Sequence, residues 1–186
     1  MAVVELAGGL WYGQDLKIGY LEQGAPVLHP DSRYNLDNDF VIRNYATSSD
    51  VLVVMVKTAP EGCSHYDTLA AMDELMWKMQ NTEGVQSAVS MVSVARQGIK
   101  GMNEGSLKWR SVSRNQFVIN ASLAYVPGGL MNGDCSLLPL IMFLDDHKAE
   151  TLTRVTASVK AFAAEHRRDQ IQFRLSAGNP GIEAAT

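Results

Sequence analysis

Two cysteines and four histidines are the first residues to test for reactive or metal-holding chemistry. Cys63 follows an apolar run and a Pro-Glu-Gly turn, and Cys135 stands just before a second apolar run. Neither lies in a CxxC or Cys/His spacing, so the pair does not read as a metal site. A disulfide and two buried free thiols are the remaining readings. His29, His65, His147 and His166 lie beside turns or helix ends and lack the HExxH spacing, which points to surface or capping roles. Ser64 and Ser136 are outside any GxSxG elbow. Gly98, Gly101 and Gly105 follow an apolar stretch, but their spacing is not GxGxxG and no GK[ST] follows, so they form no phosphate cradle. The expectation is a protein that is not an enzyme, with no cofactor implied.

Binding chemistry is better represented. The chain has nine methionines. Met72, Met76 and Met79 recur with Leu69 at helical spacing and read as a core stripe. Met102 and Met131 differ, because they flank a stretch that also holds Leu107, Trp109, Phe117, Leu123 and Tyr125. Methionine and aromatic residues suit a site for a greasy ligand, and Lys108, Arg110 or Arg114 could reach its polar head group. The same residues would equally suit a small core belonging to that stretch alone.

The elements that position these residues are bounded by composition. A chain of 186 residues, 46% hydrophobic and 19% charged, can bury one substantial core and is not disordered. A formal charge of -4 leaves no basic stripe for phosphates, so nucleic acid is not an expected partner. No window reaches the roughly 18 to 20 apolar residues of a membrane span, and the start lacks the basic and apolar regions of a signal peptide. A soluble chain is expected.

Residues 1–46 read as an N-terminal arm, with a candidate strand near Leu16 to Leu21 and a short helix from about Asn35 to Tyr45. Residues 47–186 read as the main domain. Val51 to Lys57 is a continuous apolar run that suits a strand covered on both faces. Ser64 then caps a predicted helix from about His65 to Asn81, and Gly84 supplies the left-handed stop. Val85 to Val94 is the second predicted strand. The stretch 96–134 is too long for a simple connection, and within it a helix is predicted from about Ser106 to Tyr125. Leu137 to Leu144 is the third strand. Its Pro139 must lie at a beginning, a bulge or an unpaired edge. Asp145 or Asp146 caps a helix to about His166, with Leu152, Val155, Val159 and Phe162 as its buried stripe. Gln170 to Leu175 is the fourth strand, and the Gly-Asn-Pro-Gly tail ends as though cut.

Strand, helix, strand, insertion, strand, helix, strand is the α+β order of the ferredoxin-like split βαβ fold, with two helices on one face of a four-stranded antiparallel sheet. In that plan the first and third strands are central neighbours, and the end of one meets the start of the other. Cys63 and Cys135 fall at those ends, so a disulfide with alpha carbons roughly 4.4 to 6.8 Å apart is expected. Such a bond belongs outside the cytoplasm.

The runs GYLEQGAPVLHPDSRYNLDNDF, SSDVLVVMVKT, GMNEGSLKWR, RNQF and SAGNPGIEAAT resemble the first large periplasmic loop of RND-superfamily exporters of the MMPL or hydrophobe-exporter type, over nearly the whole chain from about Asp15. The resemblance implies a porter domain between two membrane helices, on the periplasmic face of a bacterial inner membrane. It implies lipid or other hydrophobic cargo, sterol- and hopanoid-like molecules among them. Implied partners are the membrane helices and second periplasmic loop of the same transporter, other copies of it, and a periplasmic carrier protein. The proton-relay residues of such a pump would lie outside this chain. Two alternatives come from other classes: a stand-alone ferredoxin-like module that binds a small ligand, and, with less support, a hydrolase or transferase.

Overall fold

The computed structural model describes residues 28–45, 47–166 and 170–176. The candidate strand near Leu16 and the tail beyond Ser176 fall outside these residues. Within them are five α-helices and one open, four-stranded antiparallel sheet. The helices are α1 (Arg33–Asn44), α2 (Tyr66–Gln80), α3 (Met91–Met102), α4 (Gln116–Leu123) and α5 (Ala149–Glu165). The strands are β1 (Val51–Lys57), β2 (Val85–Ser90), β3 (Leu137–Leu144) and β4 (Gln172–Ser176), in the spatial order β2-β3-β1-β4.

β1 and β3 are central neighbours, with Val51 opposite Phe143 and Lys57 opposite Leu137. Their apolar runs are buried in alternation. Leu52, Val54 and Val56 of β1 and Leu138, Leu140, Met142 and Leu144 of β3 are fully enclosed, whereas Val51, Val53, Met55, Ile141 and Phe143 on the other face are half-buried. The expectation of two equally covered faces is therefore corrected. One face meets a layer of helices: Leu69, Met72, Leu75, Met76 and Met79 of α2 join Leu152, Val155, Val159 and Phe162 of α5 in one core with the strands. Those helical spacings were readable because each stripe recurs every three or four residues.

Pro139 lies inside β3, a central strand, where its missing N–H should be costly. The amide of Leu144 donates to Asp50 O beside β1 at 2.8 Å, so even-numbered amides of β3 point toward β1 and odd-numbered ones toward β2. The β2 ladder stops at Ser90 opposite Leu140, one residue short of Pro139. The proline is therefore at an unpaired edge, as required.

Other expectations change as well. β2 ends at Ser90, and residues 91–94, expected as strand, form the first turn of α3. The Ser90 amide donates to Ser93 Oγ at 3.2 Å, a local contact that starts a helix, and Met91, Val92, Ala95 and Ile99 then fall on one buried side. Gly98 and Gly101 consequently lie within that helix. Ser64 does not cap α2. It belongs to a 3-10 turn (Gly62–Ser64) and donates to Glu61 O at 2.9 Å, while His65 occupies the N-cap position. At the C-terminus α2 closes on Asn81. Gly84, at φ +93°, makes the later turn into β2, where an added Cβ would strike Thr151 Cγ2 at 2.6 Å. Asp146 lies two positions before the N-cap of α5, which is Lys148, whose amide donates to Asp146 Oδ1 at 3.1 Å.

Candidate functional site

Cys63 and Cys135 lie at disulfide distance with alpha carbons 5.2 Å apart. The β1–β3 ladder extends past both strands to bring them there. Thr58 N donates to Ser136 O, Glu61 N to Asp134 O and Cys63 N to Cys135 O, at 2.8, 2.8 and 3.0 Å. Asn132 closes the other side of the turn, its Oδ1 accepting from the amides of Ser136 and Leu137 at 2.9 and 2.8 Å. This is the inner root of the stretch between β2 and β3.

That stretch is not one long helix from Ser106. It contains α3, a 3-10 turn at Leu107–Trp109, and the short α4. Asn115 starts α4 late, because its Oδ1 accepts from Phe117 N at 2.9 Å. The unit is fastened from inside by Ile119 and Leu130, both in the core, while the buried Ser122 hydroxyl is satisfied within α4 by donating to Ile119 O at 2.7 Å. Gln116 Nε2 donates to Ser64 O at 2.8 Å and ties the start of α4 to the cysteine turn. Arg96 makes the outer fastening. Its Nη1 meets Asp73 Oδ1 of α2 at 2.6 Å, and its Nε donates to Arg110 O at 3.3 Å.

The candidate ligand residues divide across this unit. Leu123 and Met131 are half-buried and pack toward the core. Tyr125 is exposed but lies beside α3, where a Cβ added at Gly98 would meet its ring at 3.4 Å. Met102, Leu107, Trp109 and Phe117 face outward, with Leu107 72% and Phe117 80% exposed. Lys108, Arg110 and Arg114 are also exposed. The Lys108 ammonium is 6.0 Å from the Trp109 ring, and Arg114 lies 5.3 Å over the Tyr66 ring. A hydrogen bond with Tyr66, followed by the phenol's charge, raises the Arg114 pKa further above its already high value. What the structure assembles is a rigidly rooted unit with an apolar and basic exterior.

One polar pair escaped the sequence reading. His147 Nδ1 and Asp50 Oδ1 are 3.1 Å apart, with only 15% and 13% of their side chains exposed. His147 is thus not a surface residue. Asp50 Oδ2 is buried and has no hydrogen-bond partner among the described residues. The register held the signal: Asp50 precedes β1, His147 follows β3, and antiparallel neighbours bring those ends together. Of the other histidines, His65 and His166 cap helices and His29 is exposed. Among the described residues, no group of three His, Cys, Asp or Glu side chains is placed to hold a metal.

No family model, curated protein or solved structure matches this chain.

Proposed function

We propose that this chain is a ferredoxin-like porter domain of an RND-type exporter of lipids or other hydrophobic molecules, located on the periplasmic side of the inner membrane. The observation that carries the reading is the antiparallel order β2-β3-β1-β4, interrupted between β2 and β3 by a helical unit with outward Met102, Leu107, Trp109 and Phe117. A ferredoxin-like scaffold contributes position rather than chemistry, so function is sought in what is inserted into it. The cysteine pair supports an oxidising compartment. In this reading the helical unit contacts hydrophobic cargo, and Lys108, Arg110 and Arg114 meet its polar end. Membrane translocation itself requires segments other than this domain.

Two measurements test the proposal. The reading frame around this segment should encode a membrane-spanning helix on each side, and a frame without them overturns the transporter assignment. Titration of the domain with monomeric fatty acids and sterols should show saturable binding that weakens at least fivefold in Trp109→Ala. A flat titration across that panel removes the cargo-contact role.

A further inference from the structure

The outer rim of the helical unit places four of these same residues in a second pattern, one that suits an extended surface rather than a single cargo molecule. Residues 104–111 are exposed without a break. They form a folded strap, closed by Gly105 N donating to Lys100 O, Trp109 N to Ser106 O and Arg110 N to Leu107 O, at 3.0, 3.1 and 3.1 Å. Arg96 holds its far end down through Arg110 O. Along this strap Leu107 and Trp109 alternate with Lys108 and Arg110, and neither cation makes an ion pair among the described residues. Leu107 is 72% and Trp109 48% exposed, although neither is needed by the core.

Charge is divided unevenly in the same way. Residues 96–134 contain five basic and two acidic side chains, so the rest of a chain of net charge -4 carries -7. A molecule polarised like this presents the strap to an anionic surface and turns its acidic remainder away. An indole and a leucine beside lysine and arginine match the boundary between headgroups and acyl chains, where apolar groups enter and ammonium or guanidinium groups stay at the phosphates.

We propose that the Glu104–Ser111 strap docks the domain onto the surface of an anionic bilayer, with Leu107 and Trp109 entering the interface and Lys108 and Arg110 pairing with lipid phosphates. The partner is the bilayer surface, and the inference does not depend on the transporter assignment or on any cargo.

The test is co-sedimentation of the full 186-residue chain with large vesicles of phosphatidylcholine alone or mixed with phosphatidylglycerol in a 7:3 ratio (about 30% anionic lipid, a range in which basic side chains contribute). Binding should appear on the mixed vesicles, be much weaker on the neutral ones, and decline with added salt. Lys108→Gln with Arg110→Gln should weaken partitioning about thirtyfold, from the usual contribution of each basic side chain at such a surface. Leu107→Ala with Trp109→Ala should weaken it about tenfold or more. A control pair of equal charge change outside the strap, the exposed Lys57→Gln on β1 with Lys160→Gln on α5, should stay within about twofold of the parent, since neither side chain belongs to the segment that meets the phosphates. Absence of binding to mixed vesicles overturns the proposal. So does an equal loss in the control pair, which would make binding a matter of net charge alone. Either result leaves the fatty-acid and sterol titration unaffected.

Discussion

At the scale of single residues, two aspartates near the ends of β1 and β3 are handled differently. Asp50 pairs with His147 through one oxygen and buries the other without a partner among the described residues. Asp146 is fully served: Lys148 donates from its amide to Oδ1, and its ammonium lies 3.2 Å from Oδ2. Burial is the largest single influence on the Asp146 carboxyl and pushes its pKa up, but hydrogen bonds from Thr151 and Lys148 together bring it below the ordinary aspartate value. A carboxyl lowered on folding stabilises the fold above its unfolded pKa, and that contribution disappears as pH falls through the folded value. Asp146→Asn should therefore cost about 1 kcal/mol at pH 7 and progressively less below about pH 4. Urea midpoints of both proteins at pH 7, 5 and 3 check this; a penalty that persists undiminished at pH 3 would contradict the assigned role of the charge.

At the scale of elements, β3 supplies the sharpest expectation. A proline in a central strand ordinarily removes a ladder bond, but the position of Pro139 beyond the last β2 pair means that no bond is missing. Pro139→Val should change stability by less than about 1 kcal/mol, the size of the unfolded-state effect alone. A gain of 2 kcal/mol or more in urea unfolding would show that a carbonyl had been waiting for that amide. Pro139 also shows why some of the fold was legible in the sequence. The apolar stripes of α2 and α5 could be read because burial on a helix imposes a fixed period, and β1 and β3 because each is an apolar run of strand length, although the alternating burial of those two strands left no mark in their sequence. The beginning of α3 was not legible. Met91, Val92 and Val94 suit a strand by composition, and the Ser90–Ser93 contact that selects a helix is a matter of local hydrogen bonds through one hydroxyl. Of the candidate site, the residue types were legible, but their division into inward Leu123 and Met131 and outward Leu107 and Phe117 was not. That division depends on where Asn115 starts α4 and on Ile119 reaching the core, which are tertiary facts.

At the scale of the whole molecule, the cysteine pair closes a loop spanning 72 positions that encloses α2, β2 and the entire helical unit. Constraining an unfolded chain by so long a loop stabilises the native state by up to about 4 kcal/mol in the chain-entropy account. Reduction, or Cys63→Ser with Cys135→Ser, should lower the urea midpoint by a corresponding amount, and thiol titration of the unfolded, unreduced protein should find no free thiol. Unchanged midpoints with and without reductant, or two titratable thiols before reduction, would sink the assignment. The sheet order carries a consequence in time rather than in space. Among the described residues β1 pairs with β3 and β4, so Val51 waits for Phe143 and Val56 for Phe173. As the chain leaves the ribosome, the most continuously apolar strand is made first among the four and acquires its earliest neighbour last but one. During that interval Val51 to Val56 is an unpaired, uncharged β-forming segment of the kind that associates with other chains. Yield of the native protein should thus be governed by how quickly β3 reaches β1.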